Sequence, residues 1–159
     1  MIEIRRAETP VDIAAVSALW SEYWQTLGLP PSFQGFAEQL RTLPGEFAAP
    51  QGFLLLAIHD SEAAGTIALR PLHPGACEVK RLYVPARFRG HGLGKKLLLE
   101  TVSFAKQMSY SEMYCDTLPS METAAGLYRR LGFVSTVPYS EEPTPGALYF
   151  KLELRHGTP

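Results

Sequence analysis

Between Cys77 and Leu118 the chain reads CEVKRLYV, then PARFRGHGLGKK, then LLLETVSFAKQM and, after Ser109 to Ser111, EMYCDTL. The first segment keeps a two-residue beat. Cys77, Val79, Arg81 and Tyr83 are expected on one face of a strand, Glu78, Lys80, Leu82 and Val84 on the other, and Pro85 ends it. The third segment changes beat: Leu98, Val102 and Ala105 fall at i, i+4 and i+7, with Leu97, Thr101 and Met108 beside them, which predicts a helix of about four turns. The last segment returns to a strand pattern. Two strands joined by a helix over about forty residues pair in parallel with a right-handed crossover, so the glycine-rich loop sits at the carboxyl end of the first strand.

The rest of the chain fills in around this unit. IEIRRA alternates as a half-buried strand does, Thr9 offers an N-cap with Pro10 as first helical residue, and Gly28 stops a helix whose apolar face includes Trp20, Tyr23 and Trp24. LPPSF breaks the chain before a short second helix in QGFAEQLRTL. FLLLAIHD and AAGTIALRPL form a hairpin turning near Asp60 to Glu62, and the unbroken apolar run of the first predicts burial on both faces. Ser120 is placed to cap METAAGLYRRL, Gly132 to end it, and FVSTV with ALYFKLEL closes the fold as an antiparallel pair. The expectation is one domain over residues 1–159, of mixed α/β class, with a central mixed twisted sheet of about six to seven strands and about four helices.

Fifteen Lys and Arg against sixteen Asp and Glu leave a formal net charge of -1, so neither nucleic acid nor an anionic membrane is an expected partner, and anion binding has to be local. The first residues form no signal-peptide core and no apolar run of spanning length occurs, so a cytoplasmic location is expected. Cys77 and Cys115 read as buried reduced thiols, and the four histidines are scattered without metal-ligand spacing, so no metal is expected.

The loop itself fails two familiar nucleotide patterns. Gly90 and Gly94 are one residue too close for a P-loop, whose hydroxyl position is held by Lys96, and Gly90, Gly92 and Gly94 make GxGxG rather than GxGxxG. Its physics nevertheless favours an anion. Glycines let backbone N–H groups converge, a helix N-terminus near Gly92 presents unpaired N–H groups, and Lys95 and Lys96 oppose the helix dipole by about 0.3 to 1 kcal/mol each unless something negative binds. The competing reading is a solvated basic turn.

Read as [QR]xxGxG, with Arg89, Gly92 and Gly94 in the defining positions, RGHGLG resembles the acetyl-CoA loop of the GNAT superfamily of N-acetyltransferases. The likeness extends to CEVKRLYV before it and to AAGLYRRLGF, similar to the family's late-helix pattern AxxLYxxxGF, and so covers nearly the whole chain. The resemblance implies that backbone groups of Leu82, Tyr83 and Val84 pair with the pantetheine arm and polarise the thioester carbonyl. It implies that Arg89, Gly90, His91, Gly92, Leu93, Gly94 and Lys95 hold the pyrophosphate. Met121 stands where many members carry an asparagine that bonds the cofactor.

The resemblance also implies roles. Glu78, eleven residues before Arg89, matches the family's catalytic glutamate, a base for the ammonium proton directly or through water; its alternative is an ion pair with Lys80 or with the substrate. Tyr128 matches the tyrosine that protonates the departing sulfur; its alternative is a place in the helix's apolar face. Acetyl then passes from acetyl-CoA to a primary amine, taken as that of a small molecule, by direct attack in a ternary complex, since neither cysteine has an adjacent His to make it a nucleophile. Trp20, Tyr23, Trp24, Phe33 and Phe36 are either core or the wall of an acceptor pocket, and Tyr139, Glu141 and Glu142 are available at its entrance. A non-catalytic acyl-CoA sensor, or an enzyme acting on a protein or peptide amine, remains the alternative, and a homodimer is compatible with either.

Overall fold

The computed structural model describes residues 1–140 and 143–154. Strand β1 (Ile2–Arg6) leads into helix α1 (Pro10–Leu27), then α2 (Phe36–Thr42) and the strands β2 (Phe53–His59), β3 (Glu62–His73) and β4 (Ala76–Tyr83). Helix α3 (Leu93–Gln107), β5 (Glu112–Thr117), α4 (Glu122–Arg130), β6 (Val134–Ser135) and β7 (Leu148–Glu153) complete the described chain. The seven strands form one mixed sheet in the order β1-β2-β3-β4-β5-β7-β6, with β4 and β5 parallel and every other pair antiparallel. The mixed sheet with four helices is the architecture the sequence implies.

Local chemistry explains most of the boundaries. The Thr9 hydroxyl accepts the Asp12 N–H at 3.1 Å, Pro10 opens α1, and Gly28 closes it in the left-handed region at φ 65°. Asp60 and Ser61, at φ 49° and 72°, form the two-residue turn that pairs His59 with Glu62. One cap differs from expectation. Met121, not Ser120, precedes α4, and it caps with no side-chain hydrogen bond because a thioether is a poor acceptor; Gly132 does follow that helix, at φ 98°.

The sheet is buried on both faces. Leu55, Ala57, Ile67, Cys77, Val79 and Phe150 face α3 and α4, whose Leu93, Leu97, Leu98 and Ala125 are at most 2% exposed. Leu54, Leu56 and Ala68 face α1 and α2 with Trp20, Trp24 and Phe36. Alternate residues of β2 thus enter opposite layers, as its apolar run predicts, and each buried leucine contributes about 1.5 to 3 kcal/mol. Among the described residues no helix is long and apolar enough to cross a membrane.

Candidate active site

The site begins where β4 leaves β5. Their parallel register runs from Ala76 opposite Glu112 to Val79 opposite Cys115 and ends there, although β5 continues against β7 to Thr117. The cause lies on the other side of β4. Ala68 pairs with Lys80 but Thr66 pairs with Tyr83, so one residue of β3 faces two of β4, a bulge with Arg81 at φ 58°. This corrects the alternation expected above. Cys77 and Val79 pack toward α3, but Arg81 lies over Trp24 and Tyr83 stacks on Tyr23, while Leu82 and Val84 join the α3 layer. One extra residue has exchanged the faces. The parted strands leave a cleft whose walls include Tyr23, Trp24, Lys80, Arg81, Asp116 and Tyr128.

At the end of β4 stands the glycine loop. Phe88, 8% exposed, anchors a turn of 3₁₀ helix over Ala86–Phe88, after which Gly90 and Gly92 adopt φ 92° and 72°. Gly92 precedes α3 without a side-chain cap, and the first helical bond runs from the Lys96 N–H to the Gly92 carbonyl at 3.1 Å. The N–H groups of Leu93, Gly94 and Lys95 have no intrahelical acceptor to reach. A Cβ at Gly90 or Gly92 would meet nothing within 4 Å, so the space above the loop is open. The Leu93 side chain is in the core and offers its backbone alone. Arg89 folds back so that its Nε donates to the Val84 carbonyl at 3.0 Å, and Arg87 pairs with Glu22 at 3.0 Å. His91 is exposed and rests against His59. Among the described residues Lys95 and Lys96 make no ion pair. Open space, unpaired amides and unpaired cations fit a pyrophosphate.

The acidic half is the reverse, closed and paired. Glu78 is 2% exposed. Its Oε1 accepts from Arg70 Nε at 2.8 Å and lies 2.7 Å from Arg70 Nη2, while its Oε2 accepts from the Tyr139 hydroxyl at 2.7 Å with Lys80 Nζ 3.6 Å away. Lys80 also reaches Asp116 Oδ1 at 3.4 Å, and Arg70 has a second partner in Glu46. Burial pushes the Glu78 carboxyl up, but Lys80, Arg70 and Tyr139 together outweigh it and hold it below its ordinary value. Both sequence alternatives for Glu78 therefore meet in one place: it is paired with Lys80 and it stands next to the cleft, whose wall is formed by Lys80 and Asp116. Arg70, Arg81 and Asp116 carried no sequence signal of their own, since only the pairing of β3, β4 and β5 brings them together.

Tyr128 reaches the cleft from α4. It is 4% exposed, packs against Phe133 and Phe150, and burial, then the neighbouring Cys115, pushes its hydroxyl well above the ordinary value. It is a proton holder, not a base. Burial likewise raises the Cys77 thiol to about 12 and the Cys115 thiol well above its usual range, so neither is a thiolate at neutral pH. Met121 lines the cleft, where its sulfur accepts from the Tyr23 hydroxyl at 3.6 Å. Trp20 is fully buried core, whereas Trp24 is core that also walls the cleft. Glu141 and Glu142 lie outside the described residues. Among the described residues no group of three or more His, Cys, Asp or Glu is placed to hold a metal.

Comparison with known proteins gives a consistent answer. Residues 13–133 match the acetyltransferase (GNAT) family. The chain is 35% identical over 155 residues to an uncharacterized N-acetyltransferase of Schizosaccharomyces pombe, covering 96% of this chain and 95% of that one. It is 26% identical to an uncharacterized N-acetyltransferase of Dictyostelium discoideum, over 98% of this chain and all of the other. The crystal structure of a GNAT-family acetyltransferase from Staphylococcus aureus Mu50 superposes with a TM-score of 0.83 at 19% identity, covering 98% of this chain and 100% of that one.

Proposed function

Because the chain belongs to the acetyltransferase (GNAT) family, we propose that it moves an acetyl group from acetyl-CoA to a primary amine of a small molecule, by direct attack in a ternary complex. The observation that carries this reading is the parting of β4 from β5, with the uncapped start of α3 at one end and a protonated Tyr128 in the wall. Backbone groups of Leu82, Tyr83 and Val84, on the strand edge that β5 has left, take the pantetheine arm as an added strand and polarise the thioester carbonyl. Backbone N–H groups from Arg89 through Lys95 hold the pyrophosphate. Acetyl-CoA, when bound, supplies an activated acetyl group and a thiolate as leaving group.

The remaining demands fall on side chains. An amine of ordinary pKa is less than about 0.1% neutral at pH 7, so its extra proton has to be taken away. In this reading Glu78 takes it through water, because the cleft is lined by its partner Lys80 and by Asp116 rather than by Glu78 itself. The Tyr128 hydroxyl gives its proton to the departing sulfur. As the amine nitrogen bonds to the acetyl carbon the carbon–sulfur bond breaks, and the second proton lost by that nitrogen restores the Tyr128 hydroxyl, so that amide and free thiol form with the one proton held by Glu78 as the net release. Buried cysteines raised far above neutral pH support direct attack over an acyl-enzyme. The test is a panel of primary amines with acetyl-CoA, read by release of free thiol. Release with at least one amine is expected; CoA binding by calorimetry with no release from any amine would leave the sensor reading standing.

A further inference from the structure

Of the cations in and beside the cleft, one lacks the ion pairs that the others have. Arg70 has Glu46 and Glu78, and Lys80 has Glu78 and Asp116. Arg81, 7% exposed, makes no ion pair among the described residues. Its guanidinium lies 4.7 Å over the Trp24 ring, with Phe36 and Trp20 at 5.7 and 5.8 Å. Its hydrogen bonds go to neutral oxygens: Nε and Nη2 to Gln39 Oε1 at 3.2 and 2.7 Å, Nη1 to Gln34 Oε1 at 3.2 Å, and Nη2 to the Gln34 carbonyl at 3.4 Å. Four of five N–H donors are used, and one on Nη1 remains. Burial lowers its pKa to about 10, with Arg70 adding to the effect and Tyr23, Asp116 and Glu78 opposing it, so it stays charged at neutral pH.

A buried cation with no carboxylate in direct contact is costly unless an anion arrives. Two further observations point to the cleft as the place for one. Arg81 and Gln34 both line it, and so does Thr117, whose hydroxyl is buried with no hydrogen-bond partner among the described residues. Gln34 and Arg81 are also non-glycine residues held in the left-handed region, at φ 54° and 58°, a conformation that the surrounding structure has to enforce. Asp116, next to Thr117 on β5, also lines the cleft and presents a carboxylate. The lining therefore holds a partner for an ammonium group as well as one for an anion.

We propose that the acceptor is a small amino acid, whose carboxylate is seated by Arg81 with the Gln34 amide and the Thr117 hydroxyl beside it, and whose amino group is turned toward Asp116. The proposal rests on the amine-acetyltransferase reading and narrows its substrate class. Arg81 is the specificity-determining residue, and amines without a nearby carboxylate, including polyamines and protein N-termini, are poor acceptors. The aromatic wall of Tyr23 and Trp24 favours an apolar side chain.

The experiment uses matched pairs, methionine with methioninamide and phenylalanine with phenylalaninamide, measured both as acceptors with acetyl-CoA and as ligands by calorimetry in the presence of CoA. The free acid of each pair is expected to be preferred about 10- to 100-fold, the range of a charge-assisted hydrogen bond. Gln34→Glu supplies Arg81 with an internal carboxylate, so it should erase the preference while keeping or raising the melting temperature; Arg81→Gln should erase it too. Amides that match the acids in the wild type, or a preference that survives in Gln34→Glu, overturn the proposal. If neither pair releases thiol while other primary amines do, the proposal is overturned; if no amine of the wider panel releases thiol, the transfer reading has failed separately. The calorimetric arm then decides alone: selective binding of the acids upholds the Arg81 site, and equal or absent binding overturns it.

Discussion

The loop over Gly90–Gly94 and the cleft between β4 and β5 are neighbours built from different materials. The loop works with backbone: its glycines leave open space, the start of α3 has no side-chain cap, and among the described residues Lys95 and Lys96 make no ion pair. The cleft works with side chains: Arg70, Glu78, Lys80, Asp116 and Tyr139 are mutually engaged and largely shielded from water. A backbone site tolerates almost any side chain that stays out of the way but no change of local conformation. An interlocked side-chain site has the opposite sensitivity, since removing one charge strands the rest.

That contrast orders the expected effects of substitution. The largest belongs to Glu78→Gln, which leaves Arg70 and Lys80 short of a buried counter-charge; a loss of about 3 kcal/mol is expected, seen as a melting temperature lower by about 10 °C, along with a fall in kcat of about 100-fold. Because the Glu78 carboxyl in the folded protein lies below its ordinary value, the stability it contributes is present at neutral pH and lost as pH falls through the lowered folded-state pKa. Melting curves of the wild type should steepen their decline there and those of Glu78→Gln should not. A Glu78→Gln protein as stable as the wild type would break the comparison.

Gly92→Val comes next. It forces a β-branched residue to φ 72° and fills the open space, so CoA affinity should fall at least about tenfold by calorimetry; unchanged affinity would refute the cradle. Tyr128→Phe is expected to cost less in turnover, about tenfold, because a thiol of pKa about 8.5 is a tolerable leaving group without an acid. The gap should widen with acyl donors whose thiols are weaker acids. The smallest effect is a null one. With thiols raised by burial, the native protein should resist iodoacetamide at neutral pH over hours, and rapid alkylation of Cys77 or Cys115 would reopen the covalent route.

The same contrast explains what could be read before any coordinates. A backbone site leaves its mark in contiguous residues, because each glycine is there for a conformation, and the run from Arg87 to Lys96 shows it. The β4–α3–β5 unit, the β2–β3 hairpin and the Thr9 cap were legible for the same reason: each depends on residues close in sequence. The cleft depends on pairs such as Glu78 with Tyr139 and Arg81 with Gln34, 61 and 47 positions apart. Such spacing follows from strand order and leaves no periodic trace. Tyr139 was named only as available, and its partner was not foreseen. Ser120 misled because a good capping residue one position early competes with where α4 actually starts. The reversal of faces after Lys80 was invisible because a bulge adds a residue without changing the apparent alternation.

That bulge makes β4 sensitive to arithmetic in a way that composition does not reveal. Removing any single residue between Cys77 and Leu82 would flatten the bulge into a regular ladder, with Leu82 and Tyr83 kept on their present faces, but the extra residue that carries the Arg81 guanidinium over Trp24 would be lost. Replacing the same residue would leave that count untouched. This strand can absorb a change of letter far more easily than a change of number, and a lineage carrying this fold is expected to vary β4 by substitution while keeping its length.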